Sequence, residues 1–321
     1  MLALSRGFKF SVKNITLMGV SFFRDGDITS TGQMNERPLR FFCLLLLFYY
    51  IRSIMFYSGR TDTVLAQKRI KKGHIDVGTL LIFNSILIAA IVGGLWSVKK
   101  YIMNENQQNI LLIVAASVTI IFHYSSFIFK VIMGNGAIEY LALNPNLLLP
   151  IYPCNVVMWS ALIFALLKNK RSRLGIILGD YIFWFGIIST LVGMFANVDF
   201  INNPTLANYE NVKSIGAHAT LLFNVLLIPM FGYAKTDVKR NMKSIVIAIV
   251  AMAVIGGYCN ILLAAIGSRE LAYDKNSMFM IHSPFEGVKF LTYPVIALVA
   301  IPIYLGLFYV CDVCARKIAR K

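Results

Sequence analysis

Two side chains in this chain could work together as a nucleophile and a base, and each lies inside a long apolar segment. Cys154 lies in segment 149–155 (Leu-Pro-Ile-Tyr-Pro-Cys-Asn), and His218 lies in segment 214–218 (Ser-Ile-Gly-Ala-His). A thiolate is a strong nucleophile, and a neutral imidazole can take the proton from a thiol. At matched depth in a bilayer, this pair of residue types predicts attack on a lipid ester.

The composition indicates that membrane helices position these side chains. Of the 321 residues, 58% are hydrophobic and 14% are charged, whereas a soluble domain usually contains about 25% charged residues. The apolar residues come in blocks of about 20, the length that an α-helix needs to cross a bilayer. We therefore predict an all-α, polytopic protein of the cell membrane.

The hydrophobic pattern predicts eight spans, at residues 41–58, 78–98, 109–133, 147–167, 174–196, 214–234, 244–266 and 289–311. The first span is the weakest because it contains Arg52, and a central arginine costs about 2.5–3.5 kcal/mol on insertion scales. We expect a bundle of seven core transmembrane helices preceded by an N-terminal eighth. Residues 1–40 would form a cytoplasmic or interfacial segment, and residues 41–321 a single transmembrane domain.

The distribution of basic residues predicts the orientation. The formal net charge is +16, and Lys and Arg concentrate in connectors 168–173, 235–243 and 316–321, whereas connectors 134–146 and 197–212 contain neither. By the positive-inside rule, the basic connectors and the C-terminus face the cytoplasm. Connector 59–77 is basic and breaks this pattern. No basic stripe is interleaved with aromatic residues on a soluble domain, which excludes nucleic-acid binding.

Several polar side chains from different spans are predicted to lie near the pair, in the half of the membrane away from the cytoplasm. Apart from Cys154 and His218, the candidates are His123, Asn155, Asn260, Asn276 and Tyr293. Asn155 or Asn260 would stabilise an oxyanion, and the others would bind substrate. Pro150 and Pro153 predict a kink in span 147–167 that opens space beside the thiol.

Other classes of function also fit some of these residues. Asp180 and His123, together with helices broken by proline, would suit a transporter or channel for a small solute. A protein in which Cys154 and His218 only pack helices is a third interpretation. Zinc needs three or four ligands at suitable spacing, and no such set is found at this depth, so we predict neither a metal nor a cofactor.

Three segments resemble a known family. Segment 149–154 resembles the Leu-Pro-Leu-His-x-Cys signature of the YwaF-like integral membrane family, which includes animal transmembrane protein 164. Segment 214–218 is similar to that family's Ser-His segment, and Asn260 followed by segment 276–279 resembles its Asn…Asn-Tyr-Met-Phe block. The order and spacing are kept over residues 78–311. This chain has Tyr152, Ala217 and Ser277 where the family usually has His, Ser and Tyr.

The resemblance implies a membrane phospholipid acyltransferase that uses Cys and His. Cys154 would be the nucleophile and His218 the base, which carries the family's roles onto the matching positions. The implied partners are membrane phospholipids and lysolipids. The acyl group would be held as a thioester before it passes to a lysolipid or to water.

Overall fold

The computed structural model describes residues 77–101, 104–195, 208–234, 238–283, 289–290, 292–303, 305–306 and 309–310. The predicted N-terminal segment 1–40 and the span 41–58 lie outside these residues. The described helices are α1 (Val77–Tyr101), α2 (Glu105–Ile132), α3 (Ala137–Leu143), α4 (Pro153–Leu166), α5 (Arg173–Phe195), α6 (Tyr209–Met230), α7 (Val238–Ile266), α8 (Arg269–Lys275) and α9 (Tyr293–Val295). A π-helix at Ile296–Ala300 follows α9, and 3-10 helices occupy Pro145–Leu147 and Ser277–Phe279.

The fold class is that of an all-helical membrane protein, as predicted, and the described residues contain no strand. Five helices are long and apolar enough to cross a membrane, namely α1, α2, α5, α6 and α7. They correspond to five of the eight predicted spans. Helix α4 has 14 residues, and α9 begins a second shorter apolar helix, so the total of seven or eight spans stays a prediction.

Helix α4 differs from the kinked helix expected over residues 147–167. It begins at Pro153, and Tyr152 before it is extended, with φ −110° and ψ 154°. Proline suits the first position of a helix because no intrahelical partner is lost there, and it also forces the preceding residue away from the helical region. Pro153 therefore starts the helix, and the kink prediction is wrong. At 1.5 Å per residue, α4 is about 21 Å long, shorter than a hydrocarbon core of about 30 Å.

Helix α5 is the central element of the bundle because a stripe of glycines lets its neighbours approach closely. Gly179, Gly186 and Gly193 are spaced seven residues apart and so lie on one face. A Cβ on Gly186 would lie 2.5 Å from Val225 of α6 and 3.2 Å from Val157 of α4. Small residues at such positions allow the close backbone approach on which helix association in membranes depends. Helices α4 and α6 therefore both pack against this face.

The order of these contacts shows that α4 and α6 both run antiparallel to α5. Along α5, Gly179 adjoins Ile228 of α6 and Phe164 of α4, whereas Gly186 adjoins residues earlier in both helices. One end of the bundle therefore contains the start of α4, the end of α5 and the start of α6. We refer to it as the Cys154 end, and to the opposite end as the Lys170 end.

Lys170 caps the C-terminus of α4, at the Lys170 end of the bundle. Its Nζ donates to the carbonyl oxygens of Ala165 and Leu167, each at 3.1 Å, and lies 5.9 Å from the centroid of the Phe164 ring. Carbonyls in the last turn of a helix have no intrahelical partner, and a lysine can satisfy them. Gly175 on α5 approaches the Lys170 backbone so closely that a Cβ there would overlap it.

Candidate active site

Cys154 is the second residue of α4, and its side chain is half-buried. The residue follows Pro153, the first residue of the helix. N–H groups in the first turn of a helix have no intrahelical acceptor, and the helix dipole adds partial positive charge there. The thiol therefore lies beside backbone N–H donors at the start of the helix.

Asn155 fixes the start of this helix. Its side-chain Oδ1 accepts the backbone N–H of Tyr152 at 3.1 Å, and the residue is 4% exposed. This bond holds the extended residue against the first turn, in the manner of the third residue of a capping box. The side-chain Nδ2 of Asn155 has no hydrogen-bond acceptor in the described part of the chain. It remains available as a donor one residue from the thiol.

His218 lies in the third turn of α6 and is half-buried. Its Nδ1 is 2.7 Å from the carbonyl oxygen of Ser214. A carbonyl only accepts, so Nδ1 carries the proton and donates it, and Nε2 of the neutral ring is left as the acceptor. The Nε2 edge of the ring lies directly against Gly193 of α5. The imidazole therefore presents its basic nitrogen toward the glycine face.

Cys154 and His218 belong to two helices that pack against the glycine face of α5, but they lie at different heights along it. Cys154 precedes Val157 by three residues, and Val157 is level with Gly186, whereas His218 is level with Gly193. At 1.5 Å per residue, the imidazole lies about 6 Å nearer the end of the bundle, which is roughly one helical turn. Among the described residues, no hydrogen bond joins the sulfur to the ring. The two residues are thus offset by about one helical turn, on two helices that both pack against α5.

The side chain of Asn260 on α7 hydrogen-bonds the backbone of Ser277, which in turn contacts the segment before Cys154. The Asn260 side chain accepts the N–H of Ser277 at 2.8 Å and donates to its carbonyl at 3.3 Å. Ser277 Oγ then donates to the carbonyl of Ile151 at 3.0 Å, and the N–H of Met278 donates to the same oxygen at 2.9 Å. This chain of contacts, which we call the Asn260 clamp, holds the segment that leads into Cys154.

Asn276 hydrogen-bonds the residues of the loop that follows the 3-10 helix Ser277–Phe279. Its Oδ1 accepts the N–H groups of Ile281 at 2.9 Å and His282 at 3.3 Å, and its Nδ2 donates to the His282 carbonyl at 2.7 Å. Asn276 is left-handed, with φ 44°, and so are Met278 and Phe279, with φ 53° and 56°. Non-glycine residues in this region cost roughly 1–2 kcal/mol each. The loop keeps this shape because its polar groups are bonded and Met278 is fully buried.

The two remaining candidates from the sequence lie at the edges of this region. His123 Nε2 is 3.4 Å from the carbonyl of Asn146, beside the 3-10 helix that precedes α4. Tyr124 next to it donates its hydroxyl to the carbonyl of Leu147. Tyr293 at the start of α9 donates its hydroxyl to the carbonyl of Ile249 on α7. Both candidates thus bond to the backbone of neighbouring elements.

The transporter interpretation relied in part on Asp180. It is buried in α5, seven residues after the helix begins at the Lys170 end, and its Oδ2 accepts the hydroxyl of Ser244 at 3.2 Å. Asp180 therefore joins α5 to α7. Across the described residues, no three His, Cys, Asp or Glu side chains group closely enough to hold a metal ion.

Sequence reasoning missed two residues that contact the candidates. Gly193 defines the space for the His218 ring, and Ser277 bonds to the backbone before Cys154. The seven-residue spacing of glycines in α5 was a signal for the first. Ser277 was noted only as a departure from the family's block, and its contacts could not be predicted because its partners lie 17 and 126 residues away in sequence.

The structure thus defines an all-α, multi-pass membrane protein whose half-buried thiol lies at the start of a shortened helix. Residues 71–312 match the TMEM164 family, and the chain belongs to that family. Neither the curated proteins nor the solved structures give a significant match.

Proposed function

We propose that the protein is a membrane lipid acyltransferase, or a hydrolase of the same ester, in which Cys154 carries the acyl group. The observation that supports this most directly is the position of the thiol at the first turn of α4. A helix of about 21 Å leaves room in a hydrocarbon layer of about 30 Å for one end to lie below the surface, and in this proposal that end is the first turn of α4, where the ester groups of a lipid approach. The chain belongs to the TMEM164 family, and the resemblance of segment 149–154 to the Leu-Pro-Leu-His-x-Cys signature implies the same chemistry.

The reaction begins with removal of the thiol proton. His218 Nε2 is the free base, because Nδ1 is bonded to Ser214. A water molecule or acceptor hydroxyl relays the proton, since the two groups lie about one helical turn apart. The thiolate then attacks the acyl carbonyl, and the bond from that carbon to the glycerol oxygen breaks. The departing lysolipid oxygen takes the proton from His218, which leaves a thioester on Cys154.

The second half of the reaction returns the enzyme to its starting state. The hydroxyl of a lysolipid, or a water molecule, attacks the thioester while His218 accepts its proton, and the thiolate leaves and is reprotonated. The oxyanion of each step needs donors beside the sulfur. Asn155 Nδ2 meets this requirement better than Asn260, whose Nδ2 already donates to Ser277.

The test uses membranes that contain the full chain and a phospholipid with a radiolabelled acyl group. Two quantities are measured, namely label transferred to added lysolipid and label held on the protein in a form that hydroxylamine releases. Cys154→Ser should abolish both, and His218→Ala should slow transfer by a factor on the order of 10² to 10⁴. Cys259→Ser is the matched control, since Cys259 is a buried thiol on α7. Undiminished transfer by Cys154→Ser rejects the proposal.

A further inference from the structure

A charged cluster at the Cys154 end has no role in the mechanism above. Glu210 and Lys213 lie in the first turns of α6 and form an ion pair. The Tyr140 hydroxyl of α3 accepts from Lys213 Nζ at 3.0 Å and donates to the two Glu210 oxygens at 3.0 and 3.1 Å. Lys130 of α2 lies over the Tyr140 ring, 5.3 Å from its centroid. Helices α2, α3 and α6 therefore meet at this cluster.

The charged groups in contact with Tyr140 are two cations and one anion, and the neighbouring Glu139 on α3 forms no ion pair with either lysine among the described residues. Two ammonium groups, those of Lys130 and Lys213, lie over the Tyr140 ring, and Lys213 also pairs with the carboxylate of Glu210. Within the described part of the chain, Lys130 forms no ion pair with a carboxylate, and its ammonium lies over the Tyr140 ring. An ammonium group has three donors, and the Lys213 ammonium uses two of them, on Glu210 and Tyr140. Both cations thus retain donors for an anion.

The cluster lies close to the proposed base. Lys213 is next to Ser214, whose carbonyl accepts from His218, and it acts electrostatically on the His123 ring. Lys213 is five positions before His218 in α6, so its backbone lies about 7.5 Å nearer the end of the bundle. In a glycerophospholipid, the phosphate is joined to the ester carbonyls through the glycerol carbons. A lipid with its phosphate at this cluster would extend its esters toward His218.

We propose that Lys130 and Lys213, flanking Tyr140, bind the phosphate of a membrane phospholipid. A phosphodiester carries one negative charge and compensates the excess charge of the cluster, and charge-assisted bonds to ammonium groups are the stronger class of hydrogen bond. The site selects lipids that carry a phosphate over diacylglycerol. That this lipid is the acyl donor rests on the proposed function, whereas the binding itself does not.

Binding is measured on the full chain carrying Cys154→Ala, so that turnover cannot contribute. The probes are a fluorescent phosphatidylcholine, whose phosphate is its one anionic group, and a diacylglycerol with the same acyl chains. We expect the phosphatidylcholine to bind more tightly. Lys130→Met should weaken its binding about tenfold and leave the diacylglycerol unchanged. The matched control is Lys100→Met, because Lys100 lies over Trp96 and Tyr101 at the Lys170 end.

A further variant separates anion binding from a purely structural cluster. Glu210→Gln removes the carboxylate and frees Lys213, so phosphatidylcholine should bind more tightly if the site holds an anion. Equal affinity for the two lipids, or unchanged phosphatidylcholine affinity in Lys130→Met, overturns the inference. Displacement of the lipid by millimolar inorganic phosphate would instead assign the site to the soluble anion and reject the lipid. Acyl transfer by the chain with Cys154 intact is measured separately, so failure of either proposal is recognised independently.

Discussion

The Nε2 edge of the His218 ring occupies the space that a side chain on Gly193 would need. The ring is held from its other nitrogen by the carbonyl of Ser214, so its orientation is defined on both sides. A base that must meet a substrate depends on such placement, since a shift of about 1 Å can cost a hundredfold in rate. The contact between α5 and α6 therefore determines where the basic nitrogen lies.

Gly193→Ala should reduce acyl transfer by about a hundredfold, because the added methyl group displaces the imidazole. The measurement is the initial rate of label transfer, with thermal unfolding to confirm that the protein remains folded. Gly257→Ala on α7 is the matched control, since a Cβ there meets nothing within 4 Å. That variant should keep full activity, because alanine is favoured over glycine in a helix by roughly 0.5–1 kcal/mol. Full activity in Gly193→Ala would show that the ring position is unimportant.

Asn260→Leu should loosen the segment that leads into Cys154. The substitution keeps a similar side-chain volume but removes both bonds to Ser277, at a cost of about 1–3 kcal/mol for the polar groups left unpaired. We expect Cys154 to react faster with a membrane-permeant maleimide, as measured by mass spectrometry of the labelled protein. Asn106→Leu, at an exposed position early in α2, is the control. An unchanged rate in Asn260→Leu would mean that the clamp does not constrain the thiol.

Substitutions of Asn276 should separate the cost of backbone shape from that of the lost amide bonds. Asn276→Gly and Asn276→Ala both lose the contacts to residues 281 and 282, but only glycine adopts φ 44° without steric cost. The glycine variant should therefore be the more stable of the two by roughly 1 kcal/mol. Thermal unfolding in detergent measures the difference. Equal stability would indicate that the loop changes conformation when the amide is removed.

Lys170 should make stability depend on pH in the alkaline range. Burial lowers the pKa of its ammonium, although the charge of Glu105 acts in the opposite direction. Below the lowered pKa, Lys170 is protonated in both the folded and the unfolded state, so its contribution to the unfolding free energy does not change with pH. As the pH rises from there toward the ordinary lysine pKa of about 10.4, the unfolded state binds more protons and the unfolding free energy increases.

The measurement compares unfolding of the wild type and Lys170→Met across this range. The stability of the wild type relative to the variant should rise with pH. Lys168→Met, at an exposed position in the same connector, should follow the wild type. A difference between wild type and Lys170→Met that stays flat or falls with rising pH would contradict the assigned direction.

Much of the fold follows from local pattern, and the helices show why. The five long helices extend over five of the predicted spans because a bilayer requires every backbone polar group to bond within its own helix. The start of α4 could also be predicted from the sequence, since proline favours the first position of a helix and Pro153 occupies it. The mistaken expectation of a kink came from treating Pro150 and Pro153 as interruptions of one continuous helix.

The sequence by itself determined the membrane class, the positions of most helices, and the thiol and imidazole as candidate residues, because these depend on residue type and on periods within one segment. Only the tertiary structure decided that Gly193 faces His218, that the amides of Asn260 and Asn276 bind backbone, and that Lys130 and Lys213 meet at Tyr140. Most of these contacts join different elements of the fold. Their partners are set by how the helices pack, which no single segment encodes.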